Sequence, residues 1–267
     1  MRHPLPQAVL ALAASLLLFA CAASAQEVAA PARPSVFAGK VVASTTWAAA
    51  FARAAGAADI VVVAPANLPH PPDYDPRPSD LAAIAEARFV VMAPFDGFAR
   101  RLREAAGSTA QVVTVDLVNS PEAIHSEVAK LGRVFGTEAA AAAFLRDFDA
   151  EYARLTAETT AKLGPDRPKA VAQRFMAQWA RLAGLELLGT YGPGPLQPAQ
   201  LAELVEKRPG VVLKNGHAER EGAPSSGRAI AEAARAKEVA LVNFPSDQDL
   251  ISVFRENARR LVAGLAR

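Results

Sequence analysis

Residues 68–80 read Leu-Pro-His-Pro-Pro-Asp-Tyr-Asp-Pro-Arg-Pro-Ser-Asp, set between an apolar run at Asp59–Ala64 and an alanine-rich segment. Five prolines in thirteen residues fix φ repeatedly and remove backbone donors. The composition therefore predicts a rigid, extended loop that neither coils into a helix nor pairs in a ladder. The stretch ends on Pro78-Ser79-Asp80, where Ser79 or Asp80 can accept a hydrogen bond from an early free N–H of the next helix. Such a loop would hold the His70 imidazole at the end of a strand, in a preformed binding site. The competing reading is a solvated, proline-rich surface loop.

Outward from this loop, β-rich and helical runs alternate. Strands are expected at Lys40–Ser44, Asp59–Ala64, Arg88–Ala93 and Gln111–Leu117, with helices at Trp47–Ala55, Ser79–Ala87, Gly97–Ala106 and Pro121–Gly132. Continuous Val/Ile runs between helices indicate a parallel sheet covered on both faces. Thr137–Leu163 differs. It lacks Gly and Pro, and Phe144, Phe148, Tyr152 and Leu155 recur at helical spacing. One helix of ~25 residues, roughly 38 Å long, is expected there, ended by Gly164 and Pro165.

The alternation then resumes, with strands at Lys169–Arg174, Leu185–Tyr191, Gly210–Lys214 and Val239–Phe244 and helices at Met176–Ala183, Pro198–Glu206, Ser225–Ala236 and Asp247–Ala266. The fold class is therefore α/β: two parallel-sheet α/β lobes joined by one long backbone helix. The expected divisions are a leader at 1–25, a tether at 26–35, a first lobe at 36–136, the linking helix at 137–164 and a second lobe at 165–267. The stiff strut predicts small lobe movements rather than wide hinge closure.

The leader reading rests on Arg2, the apolar run Ala8–Ala20 and the small residues Ala23-Ser24-Ala25, a secretory signal peptide. It places the protein in the periplasm. The only cysteine, Cys21, lies inside this segment. Cleavage after Ala25 leaves no thiol and no disulfide, and lipid attachment at Cys21 is the alternative. Removing the leader leaves 28 basic and 27 acidic residues, too even a balance for nucleic acid. Hydrophobic residues make up 51% of the chain, enough for sizeable cores.

In open parallel sheets, ligands bind beyond the carboxyl ends of the strands. The residues expected there are Trp47, His70, Asp96 and Asp116 in the first lobe. In the second they are Gln173, Tyr191, Asn215, His217 and Asn243, with Asp247 and Asp249 close behind. Beyond the leader the histidines are His70, His125 and His217. His70 and His217 fall at expected strand ends, one in each lobe, as a cleft-bound transition metal would need. His125 falls inside a helix and reads as solvated or capping. No Gly-x-Gly-x-x-Gly, Walker or Gly-x-Ser-x-Gly sequence appears, so neither nucleotide binding nor serine hydrolysis is expected, and no enzyme is expected.

The stretches VVASTTWAAAFARAAG (41–56), PHPPDYDPRPSD (69–80) and LAAIAEARFVVMAP (81–94) resemble the periplasmic binding proteins of zinc- and manganese-uptake ABC transporters. So does FMAQWARLAGLELLGTYGPGPLQPAQLAELVE (175–206), and the resemblance covers nearly all of the chain beyond the leader. That family carries a Pro-His-x-Tyr stretch followed by Pro-Ser-Asp, its histidine ligating metal. Here the family's histidine falls on Pro72, with His70 two residues earlier. Its second-lobe histidine aligns with Gln173 and its carboxylate with Asn243; Asp116 is the nearest group to its other first-lobe histidine.

The resemblance implies an extracytoplasmic solute-binding protein, a monomer, that holds Zn²⁺ or Mn²⁺ between lobes and passes it to a permease in the inner membrane. A site rebuilt from the residues present would use His70, His217, Asp116 and Asp247, with Trp47, Gln173, Tyr191, Asn215 and Asn243 lining the cleft. Two alternatives keep the same fold: a receptor for a corrinoid, haem or siderophore, and an accessory or scaffold protein without ligand.

Overall fold

The computed structural model describes residues 35–68, 70–217 and 225–266. The leader, Cys21 and nearly all of the tether lie outside the described residues. Among the described residues, no helix is long and apolar enough to cross a membrane.

The first half comprises β1 (Val41–Ala43), α1 (Thr46–Ala54), β2 (Ile60–Val62), α2 (Pro78–Ala85), β3 (Phe89–Met92), α3 (Ala99–Ala106), β4 (Gln111–Thr114) and α4 (Pro121–Phe135). Its strands form a parallel sheet in the order β2-β1-β3-β4. α5 (Glu138–Leu163) follows, 26 residues long. The second half comprises β5 (Ala170–Gln173), α6 (Gln178–Leu182), β6 (Leu187–Tyr191), α7 (Pro198–Glu206), β7 (Val211–Asn215), α8 (Ser226–Ala234), β8 (Lys237–Leu241) and α9 (Leu250–Leu265). Its parallel sheet runs β6-β5-β7-β8, the same order one repeat later.

Local chemistry places the helix ends. The Thr45 side chain accepts from the Ala48 N–H at 3.2 Å and starts α1. Ser120 accepts from the Ala123 N–H at 3.2 Å, with Pro121 in the first turn of α4. α4 stops at Gly136, which adopts the left-handed conformation (φ 70°) that glycine tolerates. Gly132 lets α4 lie close on α5, since a Cβ there would come within 2.7 Å of the Ala141 methyl.

α5 buries Ala141, Phe148, Leu155 and Thr159 along one stripe. Phe148 meets Phe254 of α9 edge-on at 5.1 Å, and Phe254 meets Trp179 of α6 at 4.9 Å. One continuous apolar cluster runs from Val41 of β1 through Phe148 to Leu265 of α9. The strut is thus packed between α4 and α9, and α9 also reaches α1.

The structure corrects several local expectations. The proline loop is not extended throughout: Pro71–Asp73 forms a 3₁₀ turn with Pro71 buried. A φ near −65° suits the first position of such a turn as well as it suits extended chain. Of the two residues expected to accept at the start of α2, Asp80 is the one that does: its Oδ2 accepts from the Arg77 N–H at 2.7 Å and the Tyr74 hydroxyl at 2.9 Å. The last strand begins at Lys237 and stops at Leu241, because it pairs residue for residue with Val211–Asn215. A 3₁₀ turn over Arg174–Met176 precedes α6 and shortens it.

Candidate ligand cleft

In each sheet the first and third strands lie side by side while their connections leave in opposite directions, β1 beside β3 and β5 beside β7. That switch point opens a crevice at the carboxyl ends. The two carboxyl edges meet. Asn119, beyond β4, donates its Nδ2–H to the Asn243 carbonyl, beyond β8, at 2.5 Å. The Trp47 ring lies 6.4 Å from Phe244, and Phe244 stacks on His217 at 4.0 Å and 17°. Arg53 of α1 donates to the Gln248 side chain at 3.0 Å.

Trp47, Asn215, His217 and Asn243 are therefore linked through direct contacts, with Asn119 and Phe244 completing the chain. Asn215 ends β7 and accepts from the His217 N–H at 3.0 Å, turning the backbone so that the imidazole lies on Phe244. His217 Nδ1 accepts from the Asn243 N–H at 3.3 Å. Burial, and secondarily the Arg260 charge, push the His217 pKa down and favour the neutral ring. With its Nδ1 lone pair engaged, the neutral ring carries its proton on Nε2. It offers a hydrogen-bond donor there rather than the lone pair a metal requires.

Gln173 ends β5, is buried, and accepts from the Phe175 N–H at 2.9 Å. Tyr191 lies elsewhere than expected. It packs in the apolar cluster with Leu204, Val212 and Ile230, and its hydroxyl sits where a Cβ on Gly227 of α8 would meet it at 2.5 Å. Its ring points into the layer under the helices, as the alternation of side chains along a strand dictates.

The four residues expected to hold metal are not brought together. Among the described residues, no three His, Cys, Asp or Glu side chains form a group that could hold an ion. His70 lies eight positions past the end of β2. Its side chain is 63% exposed, with Nδ1 2.8 Å from Asp73 Oδ2. Asp116 is exposed just beyond β4. Asp247 is exposed and occupied at the start of α9, accepting from the Asp249 N–H at 3.2 Å and the Ser252 hydroxyl at 2.9 Å. His125 pairs with Asp149 of the strut at 2.7 Å, tying α4 to α5.

Asp96, a strand-end candidate, proves to be the buried charge of the first edge, only 4% exposed. Its Oδ2 accepts from the Ala93 N–H at 2.9 Å. Burial raises its pKa, opposed by the Ser44 hydroxyl and by Ala93. Ser44 lies close enough to act on the carboxylate without reaching good hydrogen-bond geometry. Ser44, Thr46 and Asn119 are further residues of this edge, and Phe244 of the facing one. Ser44 and Phe244 were hidden by the expected strand bounds, which ran through them.

A surface depression flanked by Arg228, Glu232, Arg235 and Glu238 opens at the amino end of β8, the opposite edge of that sheet.

No protein-family model matches the chain. No curated protein matches it in sequence. Solved structures do match. Two four-stranded parallel sheets braced by one long helix are the architecture of the ZnuA-like solute-binding proteins. The structure of ZnuA aligns with a TM-score of 0.62 at 20% identity over 86% of this chain and 100% of its own. The laminin-binding protein Lbp of Streptococcus pyogenes aligns with a TM-score of 0.59 at 21% identity over 85% and 99%. The solute-binding protein FpvC of Pseudomonas aeruginosa, in complex with Mn²⁺, aligns with a TM-score of 0.61 at 18% identity over 85% and 98%. At such identities the likeness is one of fold.

Proposed function

We propose that this chain is the extracytoplasmic solute-binding protein of an ABC importer for a divalent transition metal, zinc before manganese, and is not an enzyme. It is exported through its N-terminal leader to the periplasm, takes cargo as a monomer between its lobes and passes it to an inner-membrane permease. The observation that carries this reading is the pair of sheets with facing carboxyl edges on one rigid strut. It is shared with proteins solved with Zn²⁺, Ni²⁺ and Mn²⁺. A second reading, a cargo other than a bare ion, is favoured by one observation. The positions where the family resemblance expects a histidine and a carboxylate hold Gln173 and Asn243, and a neutral amide is a weak metal ligand.

Deleting the gene and measuring cellular metal by mass spectrometry, under chelator-limited growth, tests the transport reading. Zinc or another transition metal should fall at least twofold and return on complementation. Unchanged content of every metal removes the proposal.

A further inference from the structure

One connection of the second lobe reaches the first lobe at three separate points. It comprises residues 242–249, between β8 and α9. The Asn243 carbonyl accepts from Asn119 at 2.5 Å, the Phe244 ring lies 6.4 Å from Trp47, and the Gln248 side chain accepts from Arg53 at 3.0 Å. Trp47 and Arg53 belong to the first and last turns of α1. The connection therefore runs along α1 for about 9 Å at the α-helical rise. Of the nine residues of α1, Arg53 alone is not buried, and the connection is part of what covers that helix.

Both ends of the connection are fastened in its own lobe. Asn257 of α9 engages the two backbone groups of Val242, each at 2.8 Å, and Asp249 caps α9 by accepting from the Ile251 N–H at 2.9 Å. Between these anchors Gln248 has φ 61°, the left-handed region that favours glycine. Arg208 and Arg235 share that conformation, but they follow α7 and α8, where a left-handed residue is the usual way to end a helix. Gln248 precedes a helix and has no such reason. A strained residue persists only where its surroundings hold it, and here Arg53 holds the side chain. The lobes themselves are joined differently. An unbroken apolar cluster spans them, and Arg181 of α6 donates to Glu122 of α4 at 2.5 Å. Phe244 is only partly buried against that cluster, so the connection can leave α1 without opening it.

We infer that residues 242–249 form a strap that shuts the crevice and swings off α1 by itself, with Gln248 as its strained hinge, while the lobes stay fixed. In the swung position Gln248 leaves the left-handed region and releases Arg53. Asn243 and Phe244 then part from Asn119, Trp47 and His217, and the edge of the first lobe lies open. This rests on the reading of the crevice as the place where cargo is held, and it adds the part that admits the cargo.

Hydrogen exchange by mass spectrometry and acrylamide quenching of tryptophan fluorescence test it, on the full chain expressed with its own leader and without cargo. The tryptophans are Trp47 and Trp179. Trp179 is 1% exposed and lies against Phe254, so a rise in quenching reports Trp47. Arg53→Ala and Gln248→Ala both remove the hold on the hinge, and Arg53 is exposed, so its replacement does not endanger the fold. In each variant the 242–249 amides should exchange at least fivefold faster and quenching of Trp47 should at least double, with α5 and α9 exchanging as in the parent. Gln248→Gly loses the same contact but adopts the left-handed turn without strain, so it should be less open than Gln248→Ala. Unchanged exchange and quenching in both alanine variants overturn the inference. Equal acceleration throughout α5 and α9 overturns it as well, since the lobes would then be moving as bodies. A Gln248→Gly chain as open as Gln248→Ala removes the strained hinge and the inference with it. None of these results touches the transport reading, which the metal content of the deletion strain decides separately.

Discussion

The two sheets share a strand order and face each other with equivalent edges, yet they treat polar groups in opposite ways. At the second edge the amides are satisfied from within. Gln173 takes the Phe175 N–H, Asn215 takes the His217 N–H, and Asn257 both donates to the Val242 carbonyl and accepts from its N–H, each at 2.8 Å. At the first edge, Ser44, Thr46, Trp47, Asp96 and Asn119 each keep a buried atom that forms no well-aligned hydrogen bond among the described residues, although Ser44 acts on the Asp96 carboxylate. Equivalent topology therefore does not imply equivalent roles. One lobe completes the hydrogen bonding of its amides, whereas the other keeps buried polar atoms without a partner among the described residues.

The largest effect expected from this contrast lies in the satisfied lobe. Asn257→Ala removes a fully buried side chain and leaves both backbone groups of the half-buried Val242 without their partners. Chemical denaturation should show a loss of about 2–4 kcal/mol. A loss below about 1 kcal/mol would mean that the second edge is less self-contained than its geometry indicates.

A smaller effect sits where the edges touch. The His217 pKa is held below its ordinary value of 6.5, chiefly by burial. The native state therefore binds fewer protons than the unfolded chain in that range, and stability rises with pH. The contribution is present above 6.5 and is lost as pH falls from there through the depressed native value. Thermal unfolding between mildly alkaline and mildly acidic pH should show a slope for the parent chain that His217→Gln flattens. An identical slope in the variant would detach the imidazole from the interface argument.

The smallest effect belongs to the first lobe. Ser44→Ala and Thr46→Val each delete a buried hydroxyl oxygen that forms no well-aligned hydrogen bond among the described residues. Stability should stay within about 0.5 kcal/mol of the parent or rise slightly. A loss above about 1.5 kcal/mol in either would show that these hydroxyls are already paired and would erase the contrast.

Much of this arrangement was legible in the chain. Val/Ile runs separated by helical segments announced parallel sheets, and the Gly- and Pro-free run before Gly164 announced the strut to within a residue of Glu138–Leu163. Pro198 placed α7 at its observed bounds, because proline in a first turn leaves little freedom. The cleft was less legible, for reasons of register. One or two residues decide whether a side chain faces the crevice or the layer beneath it. Tyr191, the last residue of its strand, turns under α8, while Phe244, placed inside a strand by its apolar character, lies beyond one. His70 was misplaced because β2 stops at Val62, leaving the imidazole on exposed loop. The unpaired atoms could not be read at all, since partnerlessness belongs to three dimensions and leaves no trace in spacing.

Phe148 packs against rings of its own helix and meets the Phe254 ring of α9 edge-on, inside a cluster that runs unbroken from one sheet to the other. Tilting one lobe would crack that aromatic column, so empty and loaded molecules would share nearly the same silhouette. Any membrane partner would have to sense occupancy from a handful of side chains at the mouth, much as a fingertip reads a raised dot, instead of from a change in outline.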